Sequence, residues 1–183
     1  MKGQFFLVGV FSLILLFYMG ISAYLSPSYA GAVTEEGISN LFDNIENEYP
    51  RAFNFGLNVS EPVETLINFT DFAMNITKGR GFDPEFLWLI TENVSDDLNI
   101  TVGNFLGYSA YVNLNVSGNT KVIYVNKGDT NSSLFASPPS EFELRLSFNT
   151  TEKNLLLEKY KANLYLILEL RKGEDKIIGE IKA

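Results

Sequence analysis

The chain of 183 residues contains no cysteine and no histidine. These absences exclude disulfides, zinc sites with Cys or His ligands, hydrolases that rely on an imidazole base, and histidine pH switches. The 22 acidic residues outnumber the 14 basic ones, and the resulting net charge of −8 repels a nucleic-acid backbone. The sequence therefore predicts neither a nucleic-acid-binding protein nor an enzyme of the imidazole or thiol classes.

Charged residues are also absent from one long segment near the N-terminus. None occurs between Lys2 and Glu35, and residues 5–25 form an almost unbroken apolar run of 21 residues. A helix of that length spans about 30 Å, the thickness of the hydrocarbon core of a bilayer. Because positive charge precedes the run and negative charge follows it, we expect a single-pass protein of the cell membrane with a cytoplasmic N-terminus and an extracellular remainder.

Two ordinary fates are open to this segment. An uncleaved signal anchor accounts for its length without any further motif. A secretory signal peptide would be cut after Ala30, where small residues precede the bond, and the mature chain would then begin at Gly31. In the first case the apolar helix stays in the membrane, and in the second it is removed.

A third fate follows from Lys2-Gly3-Gln4, which directly precedes the apolar run. Over about residues 1–25 the chain resembles archaeal surface proteins with class III signal peptides, the type used by type IV pilin-like proteins. The resemblance implies cleavage between Gly3 and Gln4, with the helix retained as an anchor or filament core. Val8 stands where pilins commonly carry a glutamate associated with assembly, so self-assembly and binding to other surface proteins both stay open.

Asparagine and hydroxyl residues are abundant and form N-glycosylation sequons, Asn-X-Ser/Thr without proline at X. Random order of the 18 asparagines and 24 serines and threonines would give roughly 2.4 sequons, whereas the chain has eight. The acceptors are Asn58, Asn68, Asn75, Asn93, Asn99, Asn115, Asn131 and Asn149. An attached glycan is bulky and solubilising, so each acceptor is expected at the surface of an exported domain.

Apolar spacing predicts two amphipathic helices after a linker at residues 26–34. The first runs from about Glu35 to Glu48, with Pro50 just after its end, and its apolar stripe is expected to pack on the domain. The second has Ser60 as its cap and Pro62 in its first turn, runs to about Thr77, and places Asn68 and Asn75 on its polar side.

From about residue 85 the apolar period becomes two, which is typical of half-buried strands. In two of them the sequon residues Asn99, Thr101 and Asn115 alternate with apolar residues and are expected to point away from the core. Residues 154–170 also fit a helix, although strands are favoured. The candidate strands are 86–93, 98–105, 108–116, 121–126, 141–149, 154–160, 162–171 and 176–182.

These elements predict an α+β extracellular domain over residues 35–183, with a helical part at about 35–77 and a β part at about 85–183. Hairpin turns between the strands indicate a mostly antiparallel meander or sandwich of seven to eight strands. Trp88 lies within an apolar strand and is expected in the core.

No motif predicts a cofactor, a metal or a catalytic residue. Phosphate-binding glycine loops are absent, and the segment that starts at Asp129 lacks the glycine and glutamate of a calcium-binding EF-hand loop. The sequence favours a membrane-anchored, N-glycosylated extracellular protein with a structural or interaction role, for which a pilin-like subunit is one form. The alternative is an exported binding module for a carbohydrate, a peptide or an envelope component, and catalysis is the least supported class.

Overall fold

The computed structural model describes residues 35–183, and the predicted membrane segment, the linker and the processing sites Gly3, Gln4, Ala30 and Gly31 lie outside the described residues. Helix α1 (Glu35–Val59) and helix α2 (Pro62–Gly79) precede nine strands, which confirms the α+β class. The strands are β1 (Asp83–Val94), β2 (Asp97–Phe105), β3 (Ala110–Val116), β4 (Asn119–Val125), β5 (Asp129–Phe135), β6 (Glu141–Phe148), β7 (Thr151–Glu158), β8 (Asn163–Lys172) and β9 (Asp175–Lys182). Neither α1 nor α2, the helices of this described part, is long and apolar enough to cross a bilayer.

The strands form two antiparallel sheets that pack face to face as a sandwich. The five-stranded sheet has the order β5-β2-β1-β8-β9, and the four-stranded sheet has the order β4-β3-β6-β7. Hairpins join β1 to β2, β3 to β4, β6 to β7 and β8 to β9, and the other connections cross between the sheets. The mostly antiparallel arrangement predicted from the hairpin turns is thus confirmed, and of the two alternatives, meander or sandwich, the structure has the sandwich.

The central strands of the five-stranded sheet, β2, β1 and β8, are covered on both faces. Leu87 and Leu89 of β1 belong to the core between the sheets, whereas Phe86, Trp88 and Ile90 belong to a second core beneath the helices. A strand that is covered on both sides is apolar throughout, which explains the continuous run in β1. Trp88 is fully buried, as the sequence predicted.

Helix α1 differs from the prediction because it does not end at Glu48. It continues through Pro50 to Val59, and the two aromatic residues Tyr49 and Phe53 on either side of the proline are fully buried. An internal proline costs about 3 kcal/mol, whereas burying a large apolar side chain contributes about 1.5–3 kcal/mol. The burial of Tyr49 and Phe53 therefore offsets the cost of Pro50, and the helix continues past the proline.

The turn between the helices also differs from the prediction. Ser60 is not the cap of α2: it has a φ of 62°, and Glu61 stands at the cap position without a side-chain cap hydrogen bond. The turn is tight because the Glu61 N–H donates to the Gly56 carbonyl at 2.9 Å. A Cβ at Gly56 would lie 2.7 Å from Pro62 Cα, so only glycine allows this approach.

Nine strands form where seven to eight were predicted. Within residues 154–170 the chain forms the end of β7, a turn at 159–162 and most of β8, so the helical alternative is wrong. The additional strand is β5, whose sequence DTNSSLF is polar and mostly exposed. It lies at a sheet edge and is held by backbone pairing with β2. Because this pairing does not depend on apolar side chains, the sequence of β5 shows no apolar alternation.

Candidate functional site

Three of the acceptor asparagines lie on the helices. Asn58 is in the last turn of α1, because that helix continues past Pro50. Asn68 and Asn75 are on α2, and all three side chains are exposed. The polar side predicted for α2 is therefore confirmed as its solvent side.

The other five acceptors lie in the β part. Asn93 at the end of β1, Asn131 in β5 and Asn149 in the β6–β7 turn are exposed, whereas Asn99 in β2 and Asn115 in β3 are half-buried. No acceptor is buried in either core. Side-chain alternation predicted that Asn99 and Asn115 lie off the core face of their strands, and Asn93, Asn131 and Asn149 are exposed as expected for acceptors in general.

The prediction for β2 is wrong in one respect. Thr101, the hydroxyl residue of the Asn99 sequon, was expected to point away from the core, yet it is only 5% exposed. Alternation correctly places Thr101 on the opposite face of β2 from Ile100 and Val102, which belong to the core between the sheets. The opposite face of β2 is on the helix side of a doubly covered sheet, so both faces exclude most of the solvent.

The hydroxyl residue of a sequon, two positions after the asparagine, is also part of the acceptor signal. In the two sequons of α2 these residues are Thr70 and Thr77, and both are fully buried. In the sequons of Asn58 and Asn93 they are Ser60 and Ser95, and both are exposed. The folded domain therefore presents complete sequons at some acceptors and conceals the hydroxyl at others.

Thr70 has a structural role of its own. Its hydroxyl has one proton, which it donates to the Leu66 carbonyl at 2.6 Å. The Tyr49 hydroxyl, 2.8 Å away, must consequently donate to Thr70 Oγ1, and the Trp88 indole N–H donates to the same oxygen at 3.2 Å. Thr70 thus joins α1, α2 and β1 through one fully satisfied hydroxyl.

The amide nitrogen that would receive a glycan is engaged in several sequons. Asn115 Nδ2 donates to Thr120 Oγ1 at 2.8 Å, Asn131 Nδ2 to the Tyr124 carbonyl at 2.8 Å, and Asn149 Nδ2 to the Tyr108 hydroxyl at 2.6 Å. Asn99 Nδ2 makes a longer contact of 3.4 Å to Thr101 Oγ1. Across residues 35–183, the acceptors without a side-chain hydrogen bond are Asn58, Asn68, Asn75 and Asn93.

Asn58 and Asn93 are consequently the best acceptors in the folded domain. Each combines an exposed side chain, an amide without a hydrogen bond among the described residues, and an exposed serine two positions later. A glycan on Asn68 or Asn75 would instead require transfer before α2 folds, because the hydroxyls of Thr70 and Thr77 are inaccessible afterwards.

The turn that carries the Asn93 sequon is fixed by a charged contact. Ser95 and Asp96 form its two central residues, both with positive φ. Lys159 Nζ donates to Asp96 Oδ1 at 2.6 Å, and the Lys159 side chain is only 4% exposed. The hydrogen bond from Lys159 lowers the pKa of Asp96, and the same bond raises the pKa of Lys159.

We predict that acid destabilises the domain. The pKa of Asp96 is lowered by its contact with Lys159. Burial raises the pKa of Glu169 and Glu180, but hydrogen bonds from neighbouring basic and hydroxyl groups outweigh burial, so the pKa of both is lowered. Such carboxylates stabilise the fold above their ordinary pKa of about 4, and the stabilisation is lost as the pH falls through the lowered pKa. Denaturant titrations should give a falling free energy of unfolding from about pH 5 to pH 2, with a smaller fall in Asp96→Asn. An equal fall in that variant would contradict the role of Asp96.

The surface formed by β7, β8 and β9 contains no acceptor asparagine. A cavity of about 230 Å³ opens there between the sheets, lined mainly by leucines that include Leu156 and Leu157. A second cavity, of about 170 Å³, lies between α1 and α2 and has one carboxylate, Glu48, among its lining residues. Within residues 35–183, no group of three or more acidic side chains is placed to hold a metal ion.

Comparison of the sequence with protein-family models gives no match, and comparison with curated proteins gives no significant relative.

Proposed function

We propose that the protein is a membrane-anchored, N-glycosylated cell-surface protein whose extracellular domain has a structural or interaction role. The observation that carries the proposal is the placement of the sequons. All eight acceptor asparagines lie outside the two cores of the domain, although more than thirty other residues are buried there. The uncharged segment at residues 5–25 supplies the bilayer anchor in this proposal, with the N-terminus in the cytoplasm.

Because Thr70, Thr77 and Thr101 are buried, their three sequons are set aside in the count that supports the proposal. These three threonines have positions in the fold that explain them without any glycan. The five remaining sequons still exceed the roughly 2.4 that random order would give. Asn58 and Asn93 therefore support the proposal most strongly, and a role as pilin-like subunit rests additionally on Lys2-Gly3-Gln4.

We predict that Asn58→Gln and Asn93→Gln each remove one glycan from the protein made in its native host. Intact-mass measurement of the membrane-extracted chain should show a loss of one whole glycan in each variant and of two in the double variant. Asn154→Gln is the matched control, because Asn154 is an exposed asparagine of β7 that is not in a sequon. Its mass should match that of the wild type within the difference of one methylene group.

Two results would count against this proposal. If Asn58→Gln and Asn93→Gln change the mass only by one methylene group, as the Asn154 control does, neither asparagine is modified. If residues 60–183 are protected from protease added to intact cells, the domain is not extracellular.

A further inference from the structure

Strand β9 forms an open edge of the five-stranded sheet. Among the described residues it pairs with β8 alone. The opposite edge strand, β5, is bonded to the backbone of the four-stranded sheet, because Asn131 donates to the Tyr124 carbonyl of β4. Strand β9 contacts that sheet through side chains, in the ion pair between Glu180 and Lys153 of β7. An open strand edge presents unpaired N–H and C=O groups and is a template for pairing with another chain.

The hydrogen bonds at the end of β9 show which of its residues face the open edge. Leu164 and Ala183 exchange both backbone bonds, at 2.7 and 3.0 Å. In an antiparallel ladder such pairs alternate with pairs that do not bond. The backbone groups of Lys176, Ile178, Glu180 and Lys182 consequently point away from β8 and towards the open edge.

The charges of β9 are complementary to themselves about a two-fold axis at Ile178. If two copies of β9 pair antiparallel about this axis, each Lys176 lies opposite the Glu180 of the other copy. Within its own chain, Lys176 also forms an ion pair with Glu169, and Glu180 forms one with Lys153. Moving the axis to Gly179 instead places Lys176 opposite Lys182. Opposite-charge cross-strand pairs stabilise a sheet and like-charge pairs destabilise it, so the charges favour the axis at Ile178 over the axis at Gly179.

The same register buries an exposed apolar side chain. Ile178 is 54% exposed, and it would meet its symmetry mate across the axis. Because its backbone groups point outwards, Ile178 would form a hydrogen-bonded pair with Ile178 of the second copy.

Strand β7 is an edge strand of the four-stranded sheet, but its charges are not complementary to themselves. Axes at Leu155 or Leu156 place Glu152 opposite Glu158, or Lys153 opposite Lys159.

We propose that β9 binds a second copy of this chain by antiparallel pairing about Ile178, which joins two five-stranded sheets into one of ten strands. The partner is the same chain because the edge is complementary to itself in charge and in the alternation of its outward-facing backbone groups. The inference deepens the interaction role proposed above and rests on it. No acceptor asparagine lies in β7, β8 or β9.

Disulfide trapping in the full-length chain in its native membrane tests the pairing. Because the chain contains no cysteine, Ile178→Cys introduces a single thiol. Paired strands hold the two Cα atoms about 5.5 Å apart, within the range that a disulfide spans. Mild oxidation should convert most of I178C to a covalent dimer on a non-reducing gel.

Leu156→Cys is the control for random collision, since Leu156 is 78% exposed and lies on β7. We expect at least tenfold less dimer from L156C than from I178C. Equal dimer from both variants, or none from I178C, would overturn the proposed pairing. Either result leaves the glycan masses of Asn58→Gln and Asn93→Gln as they were, so failure of the pairing is distinguishable from failure of the proposed function.

Charge reversal tests the register. In the I178C background, Lys176→Glu places a carboxylate opposite Glu180 of the other copy and should reduce the dimer severalfold. It also removes the ion pair between Lys176 and Glu169 of the same chain, which the second substitution does not restore, so recovery of the dimer reports on the contact between the copies. Adding Glu180→Lys restores opposite charges in the same two positions and should restore the dimer. Cross-linking that is unaffected by Lys176→Glu, or that is not restored by the second change, would contradict this register.

Discussion

Replacing Thr70 by valine should lower the free energy of unfolding by about 2–5 kcal/mol. The substitution keeps the branched shape of the side chain but removes the oxygen that accepts from Tyr49 and Trp88. Both donors are fully buried, and an unsatisfied buried donor costs about 1–3 kcal/mol. Denaturant unfolding followed by the fluorescence of Trp88 measures the effect directly, because it is the one tryptophan of the chain.

Thr77→Val is the matched control for this prediction. Thr77 is on the same helix and equally buried, but its hydroxyl reaches only the Ala73 and Met74 carbonyls of α2 itself. No other side chain depends on it among the described residues, so we expect a loss below about 1 kcal/mol. Equal losses from Thr70→Val and Thr77→Val would contradict the role of Thr70 in joining the three elements.

Replacing Gly103 by alanine should lower the free energy of unfolding by about 3 kcal/mol, near the upper end for overpacked cores. A Cβ at Gly103 would lie 2.2–2.7 Å from three atoms of the Trp88 ring. The ring has no space to retreat, because it is fully buried, packs against Phe105 and donates to Thr70. The same fluorescence titration should also show altered emission from the folded state.

Gly107→Ala provides the control for the glycine substitution itself. A Cβ there would meet only Glu85 Oε1 at 3.3 Å, the end of a flexible side chain. We expect a change within about 0.5 kcal/mol, as is usual for surface sites. If Gly103→Ala is no more destabilising than Gly107→Ala, the close packing of Trp88 against β2 is wrong.

Alternation in the sequence was sufficient to predict most of the strands. Strand β6 alternates strictly, with Phe142, Leu144 and Leu146 buried and the residues between them turned outwards. Strand β5 was not predicted, because its polar residues are held by backbone bonds to β2 rather than by apolar burial. Backbone hydrogen bonds can form whatever the side chains are, so they produce no periodic apolar pattern in the sequence.

Long-range packing accounts for the other differences. Helix α1 continues past Pro50 because Tyr49 and Phe53 are buried against other elements. A proline in the sequence indicates the end of a helix, and it does not show that distant elements will cover the residues around it. Thr101 is buried because the sheet is covered on two sides, whereas alternation shows only that it opposes Ile100. Both cases depend on which elements stack in space.

The acceptor asparagines themselves were predictable, because a sequon is a local pattern. Their differing accessibility was not predictable. The hydroxyl of Thr70 is occupied by Tyr49 and Trp88, which are 21 and 18 residues away in the chain. Only the assembled fold shows that Asn58 and Asn93 have complete, exposed sequons while Asn68 does not.

We propose that the chain is exported and carries glycans on surface asparagines. Peptide mass spectrometry of the full-length protein, extracted from the membranes of its native host, tests this proposal. The expected result is sugar mass on the peptides that contain Asn58 and Asn93. Unmodified peptides at all eight acceptor asparagines would contradict the proposal.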